Sequence, residues 1–302
     1  MSEKDSKYHH IPILLKESVN DLLTDSNGVY VDATFGGGGH SREILSRLGK
    51  KGKLFAFDKD PKVVENIPDD KRFELILSDY MYLKKYMEYY KIEKLNGILA
   101  DLGLSSHHLD EASRGFSIHS DLPLDMRMNT NQSLTAKDVI MKYPVKKLEL
   151  VIKTYGELTN AKKIAEELVR ERNKRSFNSC KEFASWAESF SYGRKNKFLA
   201  QLFQAFRIEV NHEIDSLKAL LKQGSESLMT GGRMVVISYH SLEDRLAKQW
   251  FKSGDPDQLP DSFSRPDLPF KSLHKQAVTP DQNELNFNSR AHSAKMRTGI
   301  KQ

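Results

Sequence analysis

Residues 29–40 read V-Y-V-D-A-T-F-G-G-G-G-H, a short β-branched and aromatic run that ends in an acid and meets four consecutive glycines, Gly36 to Gly39. A strand that stops at such a loop and continues as a helix, predicted here for Ser41 to Leu48, is how α/β proteins hold nucleotide-bearing ligands. Glycine is needed because a backbone without Cβ reaches positive φ and leaves its N–H groups open to close approach.

Strand-like runs followed by helical or turn-rich segments recur at Val29–Ala33, Lys53–Phe57, Phe73–Leu77 and Gly97–Leu102. That alternation predicts a parallel sheet flanked by helices. The near-continuous apolar run I-L-A-D-L suits a strand covered on both faces. Residues 107–129 lapse into Ser, Gly, Asp and Pro, a loop too long for a plain connector and therefore expected to be functional. From Thr135 to about Gln204 the apolar residues recur with helical spacing and no strand candidate intervenes, which predicts a helical insertion. One amphipathic helix over about Lys197–Gln223, then a buried strand in G-G-R-M-V-V-I-S-Y-H, return the chain to the sheet. Ser241 with Asp244 reads as a capping box opening a helix to about Lys252. Ser253–Phe270, with four prolines, reads as an exposed loop, and A-K-M-R-T-G-I-K as a last strand. The chain therefore divides into residues 1–106, 107–204 and 205–302, the outer two forming one α/β core.

With 302 residues, 38% apolar and 29% charged, the chain can bury a sizeable core and a second smaller one. The net charge of +6 leans toward a polyanionic partner. The excess is uneven: six Lys and Arg face three Glu between Ala161 and Arg175, and Arg290–Gln302 carries four basic residues and no acid. The single cysteine, Cys180, excludes an intrachain disulfide, a cysteine-ligated zinc site and an iron–sulfur cluster, and it reads as an ordinary partly buried thiol at a helix start. The first residues are polar and no run of about eighteen apolar residues occurs, so the expectation is a cytoplasmic protein without signal peptide or membrane span.

The loop rules out some ligands. A P-loop needs Gly-Lys-Ser or Gly-Lys-Thr, whereas His40 and Ser41 follow Gly39. The dinucleotide fingerprint would require glycine where Ser41 or Arg42 stands, so a pyrophosphate cradle is weakly supported. Asp58, closing the second strand about twenty residues on, suits both ribose hydroxyls. Asp32, just before the glycines, would meet a positively charged group better than a pyrophosphate. S-adenosylmethionine carries an amino group, a sulfonium and a ribose, and no phosphate. Asp79 and Tyr80, after the third strand, are placed for an adenine. Each acid taken singly also reads as a helix N-cap, and their recurrence at successive strand ends carries the assignment.

The fourth strand leads into A-D-L-G-L-S-S, whose Asp101 and Ser105 lie where reacting groups of such sheets collect. Methyl transfer from a sulfonium is an in-line displacement that consumes the cation, leaving the protein to align the acceptor and shed one proton. An exocyclic amine needs acceptors such as Asp101 to hold its N–H groups, whereas ring-carbon methylation of cytosine needs a thiolate, for which Cys180 is poorly placed. In I-S-Y-H-S-L-E-D-R, Tyr239 reads as a surface for an extruded base and His240 as its hydrogen-bond partner or proton relay, or as a structural histidine at a helix start. His107 and His108 lack the spacing of a helical metal site, and no metal is expected. A dinucleotide-dependent oxidoreductase and a non-catalytic RNA-binding factor are the competing classes.

Taken together, H-I-P-I-L-L-K-E-S-V, V-D-A-T-F-G-G-G-G-H-S, F-D-K-D-P, D-L-G-L-S-S, R-G-F-S-I-H-S-D-L-P-L-D-M-R-M, K-T-Y-G-E-L, F-Q-A-F-R-I-E-V-N-H-E, S-Y-H-S-L-E-D-R and N-S-R-A-H-S-A-K-M-R resemble the bacterial MraW/RsmH family, in order from about His10 to Arg297. The resemblance implies a class I, Rossmann-like methyltransferase sheet interrupted by a helical substrate domain. It implies S-adenosylmethionine as cofactor, contacted by Gly38, Gly39, His40, Asp58, Tyr80, Asp101 and His108, with Gly37 in the same loop. The implied reaction is methylation of the 4-amino group of a cytosine in the decoding centre of 16S ribosomal RNA. The implied partner is that RNA in the small ribosomal subunit, with room for a homodimer and no membrane role. Two positions depart from the family pattern, which has Phe where Tyr80 stands and Pro-Gln where His107 and His108 stand. Its N-P-R-A-R signature is N-S-R-A-H here, keeping Arg290 and exchanging an arginine for His292.

Overall fold

The computed structural model describes residues 12–104, 114–255 and 268–302. The described residues fall into two compact units, one drawn from Met1–Gly103 with Ile214–Gln302 and the other from Leu104–Glu213.

The first unit is built on seven strands: β1 Val29–Asp32, β2 Lys53–Asp58, β3 Phe73–Leu77, β4 Leu95–Asp101, β5 Leu228–Ser238, β6 Phe270–Ser272 and β7 Lys295–Lys301. They lie in the order β3-β2-β1-β4-β5-β7-β6, parallel from β3 to β5. The last two strands run antiparallel, β7 against β5 and β6 against β7. This is the α/β architecture, a mostly parallel sheet flanked by helices, that the sequence predicted.

Alternation along β4 shows why the sheet is sandwiched. Ile98 and Ala100 face a core with Phe55, Phe57, Leu217 and Trp250, while Leu99 faces one with Val19, Leu22, Tyr30 and Ile44. Helices supply both covers, among them α1 Leu15–Leu22, α2 Gly39–Arg47 and α3 Leu83–Tyr89. Leu95, Ile98, Leu99 and Ala100 are all fully buried, the condition that lets a strand dispense with polar alternation.

The second unit has no strand among its described residues. Its helices are α4 Ala136–Lys142, α5 Val145–Gly156, α6 Ala161–Arg172, α7 Cys180–Ala187 and α8 Lys195–Asn211. Thr135 caps α4 in a reciprocal box with Asp138. The centre is aromatic: Phe183 packs edge-on against Phe177 and Phe206 at ring separations of 5.3 and 5.6 Å. Cys180 is fully buried there, its Sγ donating to Gly115 O at 3.4 Å.

D-M-R-M is an architectural motif. Asp125 and Arg127 form a two-pronged ion pair at 2.7 and 2.8 Å, around a buried Met126 with φ of 58°. Asn211 reads the same turn, donating to Met126 O and accepting from Met128 N–H, both at 2.7 Å.

Several sequence expectations need correction. The single helix expected over Lys197–Gln223 is two, α8 and α9 Glu213–Ser227, because His212 adopts φ of 52° and closes α8. Residue 204 lies inside α8, so the helical unit runs on to Glu213. The helix expected from Ser241 is α10 Ser241–Ser253, but His240 is its N-cap residue and no capping box forms. Asp244 instead pairs with Arg297, 2.6 Å away. Of the proline-rich loop, residues 256–267 lie outside the described residues, and Phe270 already belongs to β6.

Phe183→Ala is expected to cost about 3–5 kcal/mol, read as a lowered urea midpoint followed by fluorescence of Trp186, which touches Phe183. A loss below about 1 kcal/mol would show that the aromatic cluster does not organise this unit.

Candidate cofactor and catalytic site

Parallel pairing puts the carboxyl ends of neighbouring strands on one edge of the sheet. Asp32 ends β1, Asp58 ends β2 and Asp101 ends β4, while Asp79 follows β3 by two residues. All are in the first unit, so the acids read from sequence are brought to a shared edge.

The glycine run forms the turn between β1 and α2. Gly36 and Gly38 have φ of 50° and 76°, a region closed to most side chains. A Cβ on Gly39 would stand 2.1 Å from the Pro12 ring, whereas one on Gly37 would meet nothing within 4 Å. The loop is therefore packed from behind at Gly39 and open at Gly37. It is also strapped down: Gly36 N–H donates to Asp58 at 2.8 Å, Asn66 donates to Gly36 O at 3.1 Å, and Arg42 bridges Gly37 O and Asn66 O.

The four acids occupy different environments. Asp32, 1% exposed, accepts from the Ser41 hydroxyl at 2.6 Å and the Thr34 N–H at 3.1 Å. Burial drives its carboxyl upward against the opposing pull of His40, Ser41 and Thr34, and nearby Asp101 adds to the rise. Asp58 also accepts from Asp60 N–H at 2.9 Å and so fixes the turn after β2. Asp79 is a cap: it accepts from Met81 N–H at 2.9 Å, from Ser216 at 2.9 Å and from Lys59 at 3.2 Å. Those contacts give it the helix-capping role that the sequence also allowed. Tyr80, next in the chain, is half-buried against the core on the Phe57 side of the sheet.

Asp101 is the centre of a second constellation. Its N–H donates to Thr34 Oγ1 at 2.8 Å, and its carboxylate Oδ2 stands 3.8 Å from His40 Nδ1. His40, on the first turn of α2, is 5% exposed, and its Nε2 is buried without a hydrogen-bond partner among the described residues. Burial first, then the nearby Asp101 carboxylate, holds the Tyr239 hydroxyl well above the usual phenol range. Tyr239 N–H donates to Glu243 at 2.9 Å. His240 Nε2 stands 3.0 Å from Glu243 Oε1, but neither ring nitrogen makes an aligned hydrogen bond. Ser105 and His108 lie outside the described residues.

Thr34 and Glu243 were missed by sequence reading. A threonine two residues after a strand-ending acid was a usable signal, since Ser and Thr near a strand end commonly bond backbone N–H groups. Glu243 was masked by the capping-box pattern of its neighbours.

The model of the MraW methylase family matches residues 7–302. The ribosomal RNA small subunit methyltransferase H of Bacteroides thetaiotaomicron is 45% identical over 302 residues, covering 99% of each chain. That of Cytophaga hutchinsonii is 47% identical over 294 residues, covering 96% of this chain and 98% of its own. A solved rRNA methylase from Streptococcus thermophilus is a looser match, with 11% identity and a TM-score of 0.42 over 95% of this chain and 93% of that one.

Asp32 carries a consequence for stability. Its carboxyl titrates higher in the folded than in the unfolded chain, so the folded state holds its proton more tightly. Stability from that difference is present below the usual carboxylate range and is lost as pH rises through the raised value. Asp32→Asn, which keeps partners for Thr34 and Ser41, is therefore expected to raise the thermal midpoint near pH 7 and leave it nearly unchanged at about pH 4. An equal gain at both values, measured by calorimetry, would refute the burial account.

Proposed function

The chain belongs to the MraW methylase family, and from that premise we propose that it transfers a methyl group from S-adenosylmethionine to the 4-amino group of a cytosine in the decoding centre of 16S ribosomal RNA. The observation that carries this reading is Asp101 at the carboxyl end of β4, beside a glycine loop with open space at Gly37 and an unsatisfied buried nitrogen on His40.

Those features fit the cofactor. Gly37, Gly38, Gly39 and His40 would hold it from the loop, Asp58 from the end of β2, Tyr80 from the segment after β3, and His108 from the chain after β4. When bound, it supplies an electrophilic methyl on a cationic sulfur. Asp32 is sealed beneath the loop and would act through its charge, while Asp79, engaged as a cap, would hold the Tyr80 turn in place.

The remaining work falls to the chain's own side chains. An exocyclic amine shares its lone pair with the ring, so a carboxylate accepting one N–H both turns the lone pair outward and receives the positive charge that develops there. Asp101 has that chemistry and is 21% exposed, open enough to meet a substrate. Ser105 would add a second acceptor, and His240 would hold the base edge. A cytosine must leave its stack to present this amine. Cys180 argues against ring-carbon chemistry, because burial pushes its thiol up to about 11 and a thiolate is what that route requires.

RNA as the substrate fits the charge. Lys162, Lys163, Arg170, Lys174 and Arg175 lie in or just after α6, and phosphates would be met there and by the C-terminal segment from Arg290. Among the described residues no helix is long and apolar enough to cross a membrane.

Asp101→Ala is expected to keep the wild-type unfolding free energy within about 1 kcal/mol and to lower methyl transfer at least about 100-fold. The check is mass analysis of 16S rRNA from a strain lacking the protein, complemented with wild type or variant. Retention of 4-methylcytosine in the uncomplemented strain would end the proposal, and near wild-type activity of the variant would remove Asp101 from it.

A further inference from the structure

Where the glycine loop begins, β1 and β4 part company. They pair from Tyr30 opposite Gly97 to Asp32 opposite Leu99, and Ala33 N–H adds a last bond to Leu99 O at 2.7 Å. The chain then swings toward β2: Phe35 N–H goes to Phe57 O at 2.9 Å and Gly36 N–H to Asp58. β4 itself runs on through Ala100 to Asp101, paired on its other side with β5 as far as Ile237. Leu99 turns its main-chain groups toward β1, and Asp101, two residues on, turns its own to the same flank. Thr34 meets it there. Its Oγ1 accepts from Asp101 N–H at 2.8 Å, while its own N–H donates to Asp32 Oδ1 at 3.1 Å. A side-chain oxygen thus stands in for a main-chain carbonyl at the end of the ladder.

We infer that Thr34 is a positioning residue for Asp101: its hydroxyl oxygen continues the sheet by one bond, so that the last residue of β4 stays in strand conformation and holds its carboxylate beside the glycine loop for the substrate amine. The inference rests on the reaction proposed above and adds a residue to it. The carboxylate itself is only lightly guided, since Gly103 N–H donates to Oδ1 at a long 3.4 Å and His40 Nδ1 stands 3.8 Å from Oδ2. Its placement therefore depends on where the main chain stands. Reacting groups tolerate little error, a shift of about 1 Å costing on the order of 100-fold in rate. Threonine suits this task in two ways. Its hydroxyl accepts from a neighbouring backbone N–H, and its branched Cβ restricts χ1, which leaves the oxygen few directions to take. A threonine that merely completed the fold would register in stability alone, whereas one that positions Asp101 registers in kcat.

Thr34→Val keeps the shape and removes the acceptor, while Thr34→Ser keeps the acceptor and removes the branch. On small-subunit RNA from a strain lacking the protein, Thr34→Val is expected to lower kcat about 10- to 100-fold, with KM for S-adenosylmethionine changed less than about twofold. Thr34→Ser is expected to stay within about fivefold of wild type. An independent reading comes from the ligand-free protein. Its Asp101 amide should exchange with deuterium about 5- to 10-fold faster in Thr34→Val than in wild type, the equivalent of one hydrogen bond. The amide of Ile98, in the middle of β4, should be unchanged, and Thr34→Ser should match wild type. If Thr34→Val fails to fold, Thr34→Ala set against Thr34→Ser makes the same two comparisons. Unchanged kcat in Thr34→Val, a serine variant as slow as the valine one, or equal Asp101 exchange in wild type and Thr34→Val overturns the inference. Wild-type protein that leaves the RNA unmethylated counts against the proposed function instead, and the exchange comparison, which uses no substrate, still decides this inference.

Discussion

The hydrogen bond from Gly36 N–H to the Asp58 carboxylate is the contact on which the site depends. It joins the turn after β1 to the end of β2 at 2.8 Å, and a charged acceptor makes it stronger than an ordinary backbone bond. Gly36 could drift among many conformations without it, because glycine loses more freedom on folding than any other residue. Once the turn is fixed, α2 starts in one direction, which places His40 beside Asp101 and Ser41 over Asp32. Asp58 is thus a structural anchor and a proposed ribose ligand at once, two demands a carboxylate can meet because its two oxygens accept several donors.

The β-half of this arrangement was legible in the sequence. Continuous apolar runs ending in Asp32, Asp58 and Asp101 mark strands buried on both faces, and a glycine run after the first acid leaves one compatible turn. The helical half was legible as texture only. A helical pattern crossing residue 212 gave no notice that His212 would take φ of 52°, since the polar Asn211 that braces the break looks like any polar position on a helix. D-M-R-M drew attention as a motif and proved to be a buried turn, its arginine committed to Asp125 and to the carbonyls of Thr130 and Gln132.

Within the site, sequence placed the acids at the strand ends but did not tell the environment of each one. Asp32, at the end of β1, and Asp79, just after β3, were both read as acids facing a cofactor, one for its positive charge and the other for its adenine. One is sealed under a loop with a raised carboxyl, and the other spends its oxygens on Met81, Ser216 and Lys59. Burial and partner choice separate them, and both are tertiary properties. Glu243 illustrates the reverse: an acid in the first turn of α10 that local rules assign to the helix, it holds Tyr239 instead.

Those differences bear on why an acid is buried where it costs stability. A carboxylate under the glycine loop is disfavoured by desolvation and by its neighbour Asp101, and hydrogen bonds from Ser41 and Thr34 only partly offset this. Such a site keeps a strained charge for a reason outside the fold, and a cationic ligand is the partner that would relieve it. On the proposed reading, the cofactor that the glycine loop would hold carries such a positive charge.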